Sequence, residues 1–359
     1  MTIKQLFKLL YINSFIFVII IFIGELVSRT FFPEFIGDYY SSKVTRSIKF
    51  HSGEYKGFKF ERVPHPAWSI NKNLNMFVVV GGSVSKGFGT RYEDIYWVRL
   101  KNLNNLLRKE KIEVIPFGKF SDPSRYASRN EDIRTIASEF NGKEKYILYQ
   151  FSYPDIGLEK ENESDNVIFP LDISIKKLAM KYFHKSVFIR VSKNYLRKLK
   201  RSTNNNKTCE EKGWSSLQEY SYAYGSKGLE KDAEKAWDAF SKNIIQLKNL
   251  SNDLNAKFFI FITPSIFDID IKKRDKHYNT YGFDFSCATI DPRQRLKMIS
   301  KNNNIKFIDP TEYMKEKFNA YIKEGNFKRF HFAADNTHIT PIASSYLSDY
   351  LLKEIFYSK

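Results

Sequence analysis

Between residues 74 and 357, short apolar runs alternate with longer stretches of helical periodicity. The runs are rich in β-branched and aromatic residues: MFVVV (76–80), EVIPF (113–117), YILYQF (146–151), KFFIFIT (257–263) and IKFID (305–309). Helical stretches fall near 93–109, 128–139, 229–254, 291–302, 310–323 and 340–357. Apolar strands separated by helices favour parallel pairing with helices on both faces, because a parallel pair needs a crossover connection. The pattern therefore predicts a doubly wound α/β domain.

The N-terminus follows a different pattern. Residues 9–28, LLYINSFIFVIIIFIGELVS, form an apolar run about long enough to cross a bilayer as a helix, which predicts a transmembrane anchor over residues 1–29. A cleaved signal peptide and a buried core helix are the alternatives, but bulky FFP (31–33) follows the run in place of a small-residue cleavage site. Lys4 and Lys8 before the run favour a cytoplasmic N-terminus. We expect a single-pass protein of the inner (cytoplasmic) membrane, with its main domain in the periplasm.

Two segments lie outside the alternating pattern. Residues 30–73 lack clear periodicity, and we expect an irregular approach segment there. Residues 156–228 are too long for a simple crossover and are interpreted as an insertion in the α/β domain, which spans 74–357. Within it, residues 176–201 hold ten Lys or Arg, no acidic residue and many apolar residues. Such a segment could lie at a membrane interface, and a cap helix with a solvated basic face is the alternative.

The charge of the chain bears on its partners. Lys and Arg number 58 against 40 Asp and Glu, a formal net charge of +18, which favours anionic surfaces such as lipid headgroups, acidic glycans or nucleic acid. The positive charge is spread along the chain and no nucleic-acid-binding module is recognised, so nucleic acid is not an expected partner. Together with the apolar run at the N-terminus, the charge predicts a lipid bilayer as one partner.

The chain has two cysteines, Cys209 and Cys287, far apart in sequence. One disulfide in an oxidising compartment and two unpaired thiols both fit this arrangement. No Cys/His cluster has metal-ligand spacing, so we expect neither a metal nor a cofactor.

Ser83 lies in a glycine-rich turn, VVVGGSVSKGFGT (78–90), at the end of the first predicted strand of the domain. Glycines there let the backbone turn sharply and expose the hydroxyl at the carboxyl end of the sheet, where ligands bind in such folds. A phosphate-binding P-loop is excluded because Phe88, and not lysine, follows Gly87. The glycine spacing also excludes the dinucleotide fingerprint G-x-G-x-x-G. Ser83 is therefore a candidate nucleophile.

Asp335 lies three residues before His338, just ahead of the last helical stretch. This spacing lets a carboxylate reach the imidazole Nδ1–H and leaves Nε2 to take a proton from a serine. Taken alone, the two residues also fit a helix cap and a first-turn position. Combined with Ser83, they predict a Ser83–His338–Asp335 catalytic triad.

These two motifs together resemble the GDSL/SGNH hydrolase family, in its membrane-anchored bacterial form. Residues 81–89, GGSVSKGFG, match the first block GDSxTxGxG with Gly82 in place of the aspartate, and DNTH (335–338) matches the last block DxxH. The resemblance covers roughly residues 74–155 and 255–357. It implies a flavodoxin-like three-layer sandwich with a five-stranded parallel sheet, and a serine esterase or acyltransferase activity.

The resemblance also implies an oxyanion hole made by the backbone N–H groups of Ser83 and Gly118. The third block departs from the family, because GxND is replaced by SYPD (152–155) and Pro154 takes the place of the donating asparagine. Loss of one such donor typically costs about 100- to 1,000-fold in turnover. Three further residues near these blocks are candidates for lining the substrate pocket: Tyr153, Asp155 and His331.

Two functions fit this sequence. The first is an exported enzyme that removes or transfers an acyl group, with acetyl as the expected group, on a cell-envelope glycan or lipid. The second is a catalytically weak or inactive binding or assembly component of an envelope polysaccharide system, which the Pro154 replacement favours.

Overall fold

A computed structural model describes much of the chain. It covers residues 3–31, 51–55, 58–63, 69–82, 84–85, 87, 90–118, 124–156, 188, 192, 222–225, 230–270, 285–325, 330–331 and 338–358. The chain divides into two compact units, one of residues 1–43 and 162–206 and the other of residues 44–161 and 207–359. Most of the predicted insertion therefore groups with the N-terminal segment and not with the α/β domain.

The smaller unit contains helix α1, Ile3–Phe31, which covers the apolar run predicted at 9–28. Among the residues that the structure describes, no helix has both the length and the apolarity needed to cross a bilayer. The transmembrane part of the predicted fold is thus not confirmed.

One residue of the insertion packs on helix α1 within this unit. The carboxylate of Glu25 accepts a hydrogen bond from the Phe188 N–H at 3.1 Å, and its other oxygen accepts one from Arg29 Nε at 2.9 Å. A Cβ added to Gly24 would lie 2.7 Å from the Phe188 ring, so the absence of a side chain at Gly24 permits the approach. These contacts join Phe188 of the insertion to helix α1, in agreement with the grouping of residues 162–206 with residues 1–43.

The larger unit begins with an antiparallel hairpin of strands β1, His51–Tyr55, and β2, Phe58–Val63. The prediction of an irregular segment over 30–73 does not hold for these residues. Two features of the sequence explain the hairpin. FKFERV begins with aromatic and charged residues in alternation, the pattern of a strand, and only two residues separate the paired Tyr55 and Phe58, as in a tight hairpin turn.

Five strands form one parallel sheet in this unit. They are β3 (Asn75–Gly81), β4 (Ile112–Gly118), β5 (Lys145–Phe151), β6 (Lys257–Ile262) and β7 (Lys306–Ile308). Their spatial order is β4-β3-β5-β6-β7, with every neighbouring pair parallel. This is the 2-1-3-4-5 order of a flavodoxin-like sheet, so the predicted architecture of five parallel strands is confirmed.

Helices lie between and after the strands. They are α2 (Tyr96–Leu107), α3 (Ser124–Ala137), α4 (Glu230–Asp253), α5 (Ile266–Ile269), α6 (Pro292–Asn302), α7 (Thr311–Lys323) and α8 (Pro341–Phe356). Among the described residues, 3-10 turns occur at Tyr92–Asp94, Tyr153–Asp155 and Phe285–Cys287. The six predicted helical stretches all appear, and α5 is a short addition.

The sheet is buried on both faces. On β3, Val78 and Val80 belong to a core that includes residues of α3, α4 and α6, whereas Phe77 and Val79 belong to a second core that includes residues of α2, α7 and α8. Every residue of β3 is buried. The result is a three-layer sandwich, and the carboxyl ends of its parallel strands all lie at one edge of the sheet.

Candidate active site

The candidate site lies at the carboxyl edge of the sheet, where β3 ends. Gly81 is in register with Gly118 of β4 on one side and with Gln150 of β5 on the other. Neighbouring strands are about 4.8 Å apart, so Gly81 and Gly118 lie side by side at this edge of the sheet. Ser83 and Asp335 lie outside the described residues, and their roles in a triad remain predictions.

Two glycines allow the turn after β3 to pack tightly. A Cβ on Gly81 would lie 2.5 Å from Ser85 Oγ, and one on Gly87 would lie 2.4 Å from Ile95. Gly87 also has a positive φ of 66°. A larger residue at either position would clash with atoms that are fixed by the core.

Ser85 fastens this turn to the sheet and to helix α2. Its backbone N–H and its hydroxyl both donate to Gln150 Oε1, at 3.2 and 2.9 Å, and the hydroxyl lies 2.9 Å from the Tyr96 hydroxyl. Its carbonyl accepts a hydrogen bond from Trp97 Nε1 at 2.6 Å. A buried network of this kind holds its members in one arrangement because an unmade bond there is costly. The described part of this turn at Ser85 is therefore rigidly supported.

His338 lies beside the same turn. It lines a cavity of about 10 Å³ together with Val84, Gly87, Thr90 and Tyr96. A volume of this size holds about one water molecule. His338 and the residue directly after Ser83 therefore line one small space.

Helix α8 brings His338 to this place. Thr340 caps the helix by accepting from the Ala343 N–H at 3.5 Å, and Ser344 Oγ donates to the Asp94 carbonyl at 2.6 Å. One turn later, Ser348 Oγ donates to the Tyr96 carbonyl at 2.9 Å. These bonds dock the start of α8 against the start of α2, next to the turn after β3.

His331 is buried and lies next to the His338 segment. It forms an isolated antiparallel bridge with Ile339, and its Nε2 lies 2.8 Å from the Pro264 carbonyl oxygen. Because a carbonyl only accepts, Nε2 is the protonated nitrogen in this contact. His331 therefore ties the His338 segment to the end of β6, and a place for it in the substrate pocket remains a prediction.

Asp155 lies beside the residue that precedes Ser83. A Cβ on Gly82 would be 3.3 Å from Asp155 Oδ1. The carboxyl group accepts from Ser152 N–H at 2.9 Å and from Tyr149 Oη at 3.1 Å, and it is 3.0 Å from Ser152 Oγ. Burial raises its pKa to about 7, although these hydrogen bonds work in the opposite direction. The side chain closes the SYPD turn through Ser152 and lies beside Gly82.

Asp155→Asn is expected to remove a pH dependence from the stability of the protein. The unfolded side chain has a pKa of about 3.9, so between pH 4 and 7 the folded state keeps a proton that the unfolded state releases, and stability falls as the pH rises through this window. Asparagine matches the protonated form, because its Nδ2 can donate to Ser152 Oγ while its oxygen accepts from Ser152 N–H. Urea unfolding should find the variant about as stable as the parent near pH 4 and more stable, by an amount on the order of a few kcal/mol, at pH 8.

Glu93→Gln is the control for this experiment, because Glu93 is exposed and pairs only distantly with Arg91, at 4.0 Å. It should keep the pH dependence of the parent. Identical pH profiles for Asp155→Asn and the parent would show that Asp155 is ionised in the folded protein throughout this range.

Tyr153 starts the same turn but points away from Gly82. It is buried, stacks on Tyr224 with ring centroids 5.2 Å apart, and donates its hydroxyl to Asp268 Oδ2 at 2.7 Å. It lines a second, larger pocket at the carboxyl end of β6. The sequence predicted Tyr153 as a pocket residue, but gave no indication of Asp268 as its partner.

The supporting network was also missed from sequence, although one signal was present. Gln150 is the polar residue in the apolar run YILYQF, and it is completely buried. Its Nε2 donates to Thr263 Oγ1 at 2.9 Å, in addition to the bonds with Ser85. A buried amide needs such partners, so a lone polar residue near the end of a buried strand indicates a nearby network.

Comparisons with known proteins gave likenesses in structure alone. No protein-family model matches the chain, and no curated protein matches it in sequence. An acetyl xylan esterase is 13% identical with a TM-score of 0.41, over 78% of this chain and 100% of that one. A lipase/acylhydrolase from Enterococcus faecalis is 12% identical with a TM-score of 0.38, over 79% and 95%. An acetyl xylan esterase from Geobacillus stearothermophilus is 13% identical with a TM-score of 0.37, over 80% and 99%. The function assigned to this chain therefore rests on its own residues.

Proposed function

We propose that the chain is a serine esterase or O-acyltransferase that acts on acyl esters, with acetyl as the expected group, of a cell-envelope glycan or lipid. The observation that carries the proposal is that His338 and the turn after β3 line one cavity at the carboxyl edge of the sheet. Only a base beside the serine makes its hydroxyl a useful nucleophile at neutral pH.

In this mechanism, His338 Nε2 takes the proton from Ser83 Oγ as the oxygen attacks the acyl carbonyl. Asp335 accepts from His338 Nδ1–H and stabilises the imidazolium. The tetrahedral intermediate collapses when His338 protonates the leaving alkoxide, which leaves an acyl-enzyme. Water or a second hydroxyl then attacks this ester with His338 again as the base, so that hydrolysis and transfer share the first half of the reaction.

The oxyanion would be held by the backbone N–H groups of Ser83 and Gly118. Support comes from the register of Gly118 with Gly81, which brings the second strand end to the level of the turn. Pro154 lies in the 3-10 turn Tyr153–Asp155 and carries no side-chain donor. We therefore expect a modest turnover, because the oxyanion would be held by two backbone donors alone, without the asparagine side-chain amide that the family block supplies.

A fluorophosphonate probe tests this proposal directly, since it reacts only with an activated serine. Mass spectrometry of the labelled protein should find the adduct on Ser83, and labelling should be lost in His338→Ala. An unreactive Ser83 in folded protein would favour the alternative, a binding or assembly component that has kept the fold and lost catalysis.

We further propose that the enzyme works outside the cytoplasm, at a membrane. One support is Cys287, which is disulfide-bonded, because disulfides persist mainly in oxidising compartments. The other is helix α1, on which large apolar side chains are exposed, among them Phe22 at 71% and Leu26 at 62%. The protein should float with liposomes in a density gradient, and Phe22→Asp/Leu26→Asp should stay at the bottom. Equal flotation of the parent and the variant would exclude α1 as the attachment.

A further inference from the structure

A pocket of about 300 Å³ opens at the carboxyl end of β6, apart from the small cavity beside His338. Its volume is at the lower end of the range for ligand sites, roughly 300–1,000 Å³. The residues that matter for its chemistry are Tyr224, Asp268, Phe285, Thr289, Asp291 and Arg293. Tyr153 also lines it, and Tyr153 starts the turn whose Asp155 lies beside Gly82.

The polar groups of this pocket are held in place. Asp268 Oδ2 accepts from Tyr153 Oη at 2.7 Å, from Ser265 N–H at 2.7 Å and from Ser265 Oγ at 2.8 Å. Arg293 Nε donates to Asp309 Oδ2 at 2.8 Å. The Ile290 N–H donates to the Tyr224 carbonyl at 2.7 Å, which fixes the wall that includes Thr289. A ligand therefore meets groups that are already positioned, which lowers the cost of binding.

The charge of the pocket disfavours an anionic ligand. Arg293 supplies one positive charge, but it is paired with Asp309 and lies 3.8 Å from Glu312. Asp268 and Asp291 add two more carboxyl groups to the wall. Among the described residues of the wall, Arg293 is the one cation, and the carboxyl groups around it disfavour a phosphate or a carboxylate ligand, even though the chain as a whole carries +18.

The pocket also does not match a simple amine. The carboxylate oxygens that an ammonium group would need are already engaged: Asp268 Oδ2 accepts three hydrogen bonds, and Asp291 Oδ1 accepts two from backbone N–H groups. Hydroxyl groups donate and accept, so a ligand rich in hydroxyls can pair with the two carboxyl groups, the guanidinium and the Thr289 hydroxyl at once. Tyr224 and Phe285, packed edge to face at 5.3 Å, add an apolar wall for the C–H groups of such a ligand.

We propose that this pocket binds an uncharged sugar unit of the glycan that carries the acyl ester. The inference rests on the proposed esterase function for its biological meaning, and it names the substrate as a neutral glycan and not a lipid. Through Tyr153 and Asp155, the sugar site is joined by one short turn to the segment that bears Ser83. A bound chain would then present an acylated hydroxyl of a neighbouring unit to the nucleophile.

Calorimetric titration of the full-length Ser83→Ala protein tests the pocket without turnover. The probes are cellohexaose, mannohexaose and chitohexaose as neutral glycans, with inorganic phosphate and butylamine as charged comparisons. At least one neutral glycan should bind, and neither charged probe should.

Ala288→Phe, which fills the pocket, should abolish that binding. Asp291→Asn should weaken it about tenfold, because asparagine keeps the helix cap and loses a charged acceptor.

Arg295→Gln is the matched control, because Arg295 lies on the same helix α6 and pairs with Glu234 away from the pocket. It should bind the glycan as the parent does, and thermal melts of all variants exclude unfolding as the cause of lost binding. The proposal is overturned if no neutral glycan binds, if Ala288→Phe binds equally well, or if phosphate or butylamine binds in its place. Glycan binding together with an unreactive Ser83 would contradict the esterase function and support the sugar site. A reactive Ser83 without glycan binding would support the esterase function and contradict the sugar site.

Discussion

Ser83→Ala is expected to lower the hydrolysis of p-nitrophenyl acetate by about 1,000- to 10,000-fold. Removing the nucleophile removes the acyl-enzyme route, which in an intact serine hydrolase costs about a million-fold in turnover. The expected loss is smaller here because Pro154 already deprives the parent enzyme of one oxyanion donor, at a typical cost of about 100- to 1,000-fold. Initial rates of the purified proteins at pH 8 measure the difference.

The matched control is Ser138→Ala, an exposed serine at the end of α3 whose hydroxyl bonds only to the Thr135 carbonyl among the described residues. It should retain the parent rate. Because nucleophile and base act as a unit, Ser83→Ala/His338→Ala should be no slower than Ser83→Ala alone. A double variant that loses a further large factor would mean that His338 acts on a different group from Ser83.

The fold was predictable because its strands are buried on both faces. A strand that must be apolar on both sides appears as a continuous run, and MFVVV and KFFIFI became β3 and β6 with boundaries within one or two residues. The hairpin β1–β2 was harder to predict, since short strands with mixed polar residues such as HSGEY carry little apolar signal. Strand order was implied by the family resemblance and not by the pattern itself.

The site was predictable only where a motif stands in one piece. GGSVSKGFG indicated the turn after β3, and the register places Gly81 beside Gly118, whose role as an oxyanion donor stays a prediction. The partners of this turn come from distant parts of the sequence: Gln150 is 65 residues from Ser85. Such pairings depend on which strands become neighbours, which composition and spacing do not determine.

The sugar pocket illustrates the same limit. Asp268 and Arg293 both lie between β6 and β7, in helices α5 and α6, and each taken alone is an ordinary helix-start or surface residue in the sequence. Only the tertiary fold brings them to one wall beside Tyr153. Residues that meet only through tertiary contact leave no recognisable motif in the sequence. A nucleophile on a tight turn does leave one, because the backbone of the turn needs glycine.

Cys287→Ser is expected to lower the free energy of unfolding by about 4 kcal/mol. Cys287 is buried and disulfide-bonded, and Cys209 is the only other cysteine in the sequence, so the bond closes a loop of about 80 residues. Opening a loop of this size increases the freedom of the unfolded chain, and folding must then overcome that larger entropy. Urea unfolding followed by tryptophan fluorescence, without reducing agent, measures the loss.

Cys209→Ser separates the effect of the bond from the effect of a buried serine, because it leaves Cys287 as a thiol. It should lose nearly the same stability, and a reducing agent should destabilise the parent but neither variant.

The 3-10 turn Phe285–Cys287 leads directly into the pocket wall at Ala288 and Thr289. Loss of the disulfide bond therefore frees that wall and should weaken glycan binding even where the protein stays folded. Undiminished stability in Cys209→Ser, with both thiols alkylated in unreduced parent protein, would mean that the cysteines are unpaired in solution and would remove one of the two supports for a location outside the cytoplasm.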